Sequence, residues 1–398
     1  MRLILFFLPL LIFCAPHIPD HAEAARRPQP QKILTGADQT EKYLPLLDGK
    51  RVGLLVNQTS LVGEQNLVDT LLKRGVKIVK IFGPEHGFRG NADAGETVGN
   101  STDPATGLPV ISLYGKHNKP TSVELTDVDV MLYDIQDVGA RFYTYISSMQ
   151  RFMEAAAENH KPFIILDRPN PNGFYVDGPV LDLKFRSGVG PQPIPIVYGM
   201  TIGEYARMLI GERWLSSPDL QPELTVIPCR GYTHRSRYTL PVRPSPNLPD
   251  MTSVYLYPSL CFFEGTDCSV GRGTDRPFQV FGRPDFPPDL YAFTPRSRPG
   301  AKNPPQLDKR CYGFLAAASP EEALRETGGK IQLKWLLEAY RLAPDKDHFF
   351  NAYFNKLAGN DALMQQVKAG WSAEKIRASW APELTRFKEI RQRYLLYP

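Results

Sequence analysis

Arg51-Val-Gly-Leu-Leu-Val56 and Lys77-Ile-Val-Lys-Ile-Phe82 bracket the stretch that decides the fold. Both are short apolar runs of strand length, and between them Asn66 to Arg74 places Leu67, Val68, Leu71 and Leu72 at helical spacing. The pattern then repeats. Asp129-Val-Met-Leu-Tyr133 and Pro162-Phe-Ile-Ile-Leu166 read as strands on either side of a long helix from Phe142 to Asn159. Thr201 to Trp214 reads as another helix and Leu224-Thr-Val-Ile227 as a further strand. Strands joined through helices pair in parallel, so the fold class is α/β with a Rossmann-like parallel sheet.

Away from this core the composition changes. The chain has 37 prolines in 398 residues, about twice ordinary usage. They crowd residues 241–310, where Pro241, Pro244, Pro246, Pro249 and Pro258 precede seven more between 284 and 305, and this stretch reads as long loops covering the sheet's edge. From Gln332 to Leu342 and from Ala373 to Leu396 the pattern becomes amphipathic helix, with Trp335, Tyr340, Trp380 and Phe387 on apolar faces.

Residues 1–24 read as a signal peptide: Arg2, then the apolar run Leu3 to Ala15, then an Ala22-Glu23-Ala24 cleavage site. That run is shorter than the about 20 residues a membrane helix needs. The expected product is exported, periplasmic or secreted, with no membrane span. A lipoprotein anchor at Cys14 is the alternative, against which Phe13 is bulkier than the small residue such a site wants. Loss of the leader removes Arg2, Asp20 and Glu23 and leaves 46 basic against 40 acidic residues. So mild an excess, with no Lys/Arg run, gives nucleic-acid binding no support. Cys229, Cys261, Cys268 and Cys311 remain, with no C-x-x-C pair and no zinc spacing, and read as buried small hydrophobes with at most one bridge.

An open α/β sheet binds ligands at the carboxyl ends of its strands. Those ends here are Asn57-Gln58-Thr59, Gly83-Pro-Glu-His-Gly87, Asp134 to Arg141 and Asp167-Arg168-Pro169-Asn170, all polar. No G-x-G-x-x-G, G-x-x-x-x-G-K-[ST], H-E-x-x-H or G-x-S-x-G accompanies them, so dinucleotide binding, P-loop chemistry, zincin proteolysis and α/β-hydrolase chemistry lack their signals. The densest cluster sets Glu85, His86, Arg89, Asp93 and Glu96 among four glycines. A carboxyl at a strand end beside a His suits a general acid; salt bridges tying an ordered loop would leave the same residues. Asp137, Arg141 and Tyr143 form a second cluster, which suits either an ion pair at a helix start or the binding of a sugar or carboxylate. The third, Phe262 to Asp275, carries Glu264 and Arg272. Two carboxylates on facing loops are the minimum apparatus of a glycosidase.

Gly83-Pro-Glu-His-Gly-Phe-Arg-Gly90, Asp137-Val-Gly-Ala-Arg-Phe-Tyr-Thr-Tyr145, Leu166-Asp-Arg-Pro-Asn-Pro-Asn-Gly173, Gly199-Met-Thr-Ile-Gly-Glu204, Gly271-Arg-Gly-Thr274 and the closing Tyr394-Leu-Leu-Tyr397 resemble the exo-β-N-acetylmuramidase family, long catalogued as a domain of unknown function. The resemblance spans residues 34–398. It implies a Rossmann-like catalytic domain, set at 30–235, with a smaller α+β C-terminal domain, set at 236–398, closing a cleft. It also implies an exo-acting glycosidase that removes β-1,4-linked N-acetylmuramic acid from the non-reducing end of peptidoglycan fragments, in cell-wall turnover. The alternatives are release of a disaccharide that begins with that sugar, a non-catalytic periplasmic muropeptide-binding protein, and a metal-dependent hydrolase using Glu85, His86, Asp93 and Asp137. The muramidase reading and the first two alternatives need no metal and no cofactor.

On this reading Glu85 is the general acid, His86 tunes it, and Glu264 is the second carboxylate. Arg89 or Arg141 pairs with the lactyl carboxylate that distinguishes muramic acid from glucosamine. Should the substrate's acetamido group be the nucleophile, Glu264 or Asp137 orients it. Asn57, Tyr143, Arg168, Asn170 and Arg272 complete the expected substrate contacts. The sequence departs from the family at Tyr198, where many relatives carry His.

Overall fold

The sheet's apolar strands are buried on both faces, which is what their unbroken Val, Ile and Leu runs require. In the computed structural model, which describes residues 32–85, 87–89 and 99–398, seven strands lie in the order Leu224–Ile227, Phe163–Leu166, Val130–Asp134, Arg51–Val56, Lys77–Gly83, Pro109–Ser112 and Ser101–Thr102. All neighbours pair in parallel except the last two. Val52, Leu54 and Val56 point to one face with Tyr43 and Leu47 of the Thr40–Leu47 helix and Leu67, Val68 and Leu71 of the Leu67–Lys73 helix. Leu55, Met131, Tyr133 and Phe163 point to the other, against the Tyr145–Glu158 and Ile202–Gly211 helices. The five strands and three helices read from the first half of the sequence stand within a few residues of their expected bounds.

The second half corrects one expectation. Residues 241–310 are not simply loops: Met251–Leu260 is a helix with all ten residues buried, continued by a 3-10 turn over Cys261–Gly265. Because this helix is buried on every side, it has no exposed charged face to give it helical periodicity, and Pro258 lies inside it. A three-stranded antiparallel sheet, Val280–Arg283, Cys311–Leu315 and Tyr291–Phe293, and the helices Pro320–Thr327, Leu333–Leu342, Phe354–Ala358, Ala362–Lys368 and Ala373–Gln392 complete an α+β C-terminal part. Residues 33–398 form one compact unit, and one apolar cluster runs from Met149 and Phe152 to Trp335 and Phe387. All four cysteines described are buried and unbridged.

The chain's end is fastened to the sheet. Tyr397 donates its hydroxyl to Asp167 at 2.6 Å and accepts from the Cys229 N–H at 2.8 Å, while Glu204 takes the Leu396 N–H at 2.7 Å. Tyr394 reaches Glu212 at 2.5 Å. The family's closing motif is therefore a tie between the last helix and the strand ends. The expected signal peptide over residues 1–24, with Cys14, and His86, Asp93 and Glu96 lie outside the described residues.

Burial raises the Asp167 carboxyl from its ordinary 3.8 to about 6, against the hydrogen bonds from Tyr397 and Thr201. Between those two values the folded protein holds a proton that the unfolded chain has lost, so this group's stabilisation is complete below about 4 and falls as pH rises toward about 6. Asp137, Asp134 and Asp267 act in the same direction; the aspartates held below 3.8, Asp38, Asp103, Asp127, Asp129, Asp182 and Asp345 among the described residues, act at lower pH. Urea unfolding of Asp167→Asn between pH 4 and 6 is expected to show a shallower fall of stability with pH than the parent. An unchanged slope would contradict the assignment.

Candidate active site

Glu85 ends the Lys77–Gly83 strand's turn and meets the start of the Tyr145–Glu158 helix. Thr144, that helix's N-cap, makes no side-chain cap; its Oγ1 instead donates to Glu85 Oε2 at 2.9 Å. Tyr145 donates its hydroxyl to the Glu85 carbonyl at 3.3 Å. Tyr114 also borders Glu85, and burial together with the Glu85 carboxylate pushes its phenol up to about 12.

Two cavities meet at Glu85, Thr144, Val189 and Tyr353. The smaller, of about 180 Å³, is walled by Tyr143, Tyr257 and Phe278 and holds Glu264 and Arg272. Arg272 Nε and Nη2 both donate to Glu264 Oε1, at 2.7 and 2.5 Å. The larger, of about 440 Å³, is walled by Tyr114, Asn118, Ser147, Ser148, Arg151 and Lys356. Two carboxyl groups, Glu85 from the sheet and Glu264 from the C-terminal part, thus border one continuous space, as acid/base chemistry on a glycosidic bond needs.

Among the other described residues expected from the sequence, only Tyr143 and Arg272 line it. Tyr143 gives its ring, its hydroxyl being bonded to the Pro244 carbonyl at 2.7 Å. Arg141 is a correction. It is fully buried, and its Nη1 and Nη2 donate to the carbonyls of Pro179, Ile194 and Leu357 at 3.1, 3.0 and 2.7 Å. Burial pulls its pKa down to about 9. Gly359 packs on the same guanidinium, where a Cβ would lie 2.7 Å from Nη2. The side chain clamps backbone and does not face the cavities. Arg89 is held in a fork by Asp103, with contacts of 2.9 to 3.1 Å.

Arg168 pairs with buried Asp134 at 2.5 and 2.8 Å and with the Leu61 carbonyl. Asn57 accepts from the Thr59 N–H and hydroxyl, and Asn170 joins the Asn172 N–H to the Met200 carbonyl. These three build the strand-end turns. Asp137 accepts from the Gly139 N–H and from the hydroxyl of Tyr198, so the departure at Tyr198 touches Asp137. Burial raises Asp137 to about 6. Among the described residues no group of three His, Cys, Asp or Glu is placed to hold a metal ion; His86 and Asp93 are outside them. Sequence reading missed Thr144, Ser147, Ser148 and Arg151, a polar stripe on an otherwise buried helix that helical spacing could have shown.

Models of the exo-beta-N-acetylmuramidase NamZ family, N-terminal and C-terminal, match residues 52–252 and 255–397. The chain belongs to the NamZ family. It is 38% identical over 407 aligned residues, 97% of its own length and 96% of the relative's, to the peptidoglycan beta-N-acetylmuramidase NamZ of Bacillus subtilis. It is also similar to two DUF1343 family proteins of Bacteroides fragilis known from crystal structures. One is 50% identical with a TM-score of 0.85, covering 92% of this chain and 99% of that one. The other is 32% identical with a TM-score of 0.74, covering 93% and 100%. The seam between the two NamZ models falls inside the buried Met251–Leu260 helix, whose Tyr257 walls the smaller cavity.

Arg141→Ala removes a donor from the buried carbonyls of Pro179, Ile194 and Leu357, of which Ile194 keeps the Leu181 N–H at 3.1 Å, and each carbonyl left bare costs about 1–3 kcal/mol. The variant is expected to unfold at markedly lower denaturant concentration. Its folded fraction should discriminate between muraminide and glucosaminide substrates as the parent does; a changed ratio would return Arg141 to substrate recognition.

Proposed function

We propose that the chain is an exo-acting glycosidase hydrolysing β-1,4-linked N-acetylmuramic acid from the non-reducing end of peptidoglycan fragments, in cell-wall turnover. The observation that carries this reading is Glu85, oriented by Thr144 and bordering a cavity opposite Glu264. Kinship with a peptidoglycan beta-N-acetylmuramidase supports the substrate class.

Glu85 protonates the departing glycosidic oxygen. Thr144 occupies one carboxylate oxygen, Oε2, and so fixes the plane in which the other meets the bond. Glu264, oriented by Arg272, faces the developing positive charge at the anomeric carbon. The aromatic walls of Tyr143, Tyr257 and Tyr353 supply apolar faces for the sugar ring. The two-part organisation, a catalytic part over 30–235 and an auxiliary part over 236–398, gains support from the cavity walls, to which each contributes a carboxylate. Export is part of the proposal: a positive residue, an apolar run and a small-residue cleavage site within residues 1–24 support a periplasmic or secreted enzyme.

With a chromogenic β-N-acetylmuraminide and the matching glucosaminide, the mature protein is expected to release dye from the muraminide alone. Glu85→Gln should lower kcat by about 10²–10⁴. A disaccharide as the first product from longer glycans would favour the disaccharide reading, and undiminished ligand binding with no turnover on any glycan would favour a binding protein. Thr144→Val, which removes the donor and keeps the shape, should lower kcat by about tenfold with KM near the parent's, as the loss of one charge-assisted hydrogen bond implies. An unaltered kcat would show that the contact does not position Glu85.

A further inference from the structure

With Arg89 and Arg141 committed elsewhere, the acidic substituent of muramic acid needs another partner. The two cavities differ in charge. In the smaller one Arg272 is neutralised by Glu264, and an incoming carboxylate would face Glu264 and Glu85 together. The larger one carries Glu85 against two cations, Arg151 and Lys356.

Arg151 stands seven residues after Thr144, on the helix side that also presents Ser147 and Ser148 to the larger cavity. Its Cα lies about 10 Å along the axis from that of Thr144. Arg151 is half-buried, and burial pulls its pKa down. The carboxylate acting on it is Glu154, one turn on, but Glu154 is already bonded to Gln150 and to the Ser216 N–H, both at 2.9 Å. Ser187, on the same wall, has a buried Oγ without a hydrogen-bond partner. Lys356 enters from the Phe354–Ala358 helix of the C-terminal part.

We propose, building on the muramidase reading, that Arg151 and Lys356 form a carboxylate subsite in the larger cavity that receives the acidic substituent of the sugar whose bond lies at Glu85. The guanidinium makes the directed contact, since two of its N–H groups match the two oxygens of a carboxylate. Lys356, exposed at the cavity's mouth, adds a point charge. The same chemistry accommodates a free lactyl carboxylate or, where a peptide is attached, the carboxylate of its first residue.

The test is calorimetric binding of N-acetylmuramic acid, its lactyl methyl ester, N-acetylmuramoyl-L-alanine and N-acetylglucosamine to the mature protein and to Arg151→Ala, Arg151→Lys and Lys356→Ala. Arg151→Ala should weaken binding of at least one of the two acids tenfold or more and leave the ester unaffected, Arg151→Lys should fall between, and Lys356→Ala should cost severalfold. The acid that responds identifies the source of the carboxylate. Equal weakening of acid and ester, unweakened binding of both acids in Arg151→Ala and Lys356→Ala, or no preference of the parent for an acid would overturn the subsite. Lys356 is exposed, so its variant reads out even should the Arg151 variants fail to fold. Turnover of the chromogenic muraminide by the parent tests the muramidase reading separately: a parent that turns it over while its variants bind the acids unchanged loses the subsite alone.

Discussion

Asp134 and Arg168 sit at the ends of the two adjacent strands Val130–Asp134 and Phe163–Leu166, paired and shut away from water. Neither charge is tolerable there without the other, and breaking such a buried pair costs roughly 3–5 kcal/mol. Burial raises the Asp134 carboxyl even against the pull of Arg168. Much of the carboxyl end of this sheet obeys the same constraint: a buried polar group must have a partner. Ser60 therefore bonds the Asp134 carbonyl, Thr59 serves both Asn57 and the Gln136 N–H, and Gln136 ties Asp137 to Pro169. These bonds set the turns that follow the strands Arg51–Val56, Val130–Asp134 and Phe163–Leu166.

The constraint also sorts the polar residues by role. A group whose bonding capacity is largely consumed by its own surroundings has little left for a ligand, and Arg168 and Asn170, and Arg141 through both its Nη atoms, are of this kind. Glu85, Glu264, Arg272 and Arg151 differ in bordering a cavity. Arg141 and Arg151 illustrate the distinction on one short stretch of chain. The first is sealed among three carbonyls; the second lies half-buried along a cavity wall, with Glu154 one turn on acting on it.

This sorting explains what was legible in the sequence. The parallel sheet was, because apolar runs alternating with helical spacing leave little other choice of fold class, and the strands from Arg51–Val56 to Leu224–Ile227 lie where they were read. Glu85 and Glu264 were legible as carboxyls in loops rich in glycine and proline. What stayed hidden was whether a polar residue at a strand end faces a ligand or its own backbone, since Arg141 and Glu85 look alike until their neighbours are known. Met251–Leu260 was hidden for a different reason, because a helix buried on every side has no periodic contrast between apolar and polar residues. The role of Tyr397 depended on partners 168 and 230 positions away.

That distant tie bears on how the site works. The C-terminal part leaves the sheet by way of the Met251–Leu260 helix, which is buried throughout, and returns at Leu396 and Tyr397 to Glu204 and Asp167. Between these anchors it carries Glu264, Arg272, Tyr353 and Lys356 to the cavities that Glu85 and Arg151 border from the other side. A segment fastened at both ends holds its side chains at little further entropic cost when substrate binds. Both carboxyls thus border the same cavity in a geometry fixed by folding, so that the energy of binding a ligand there is left to act on its orientation.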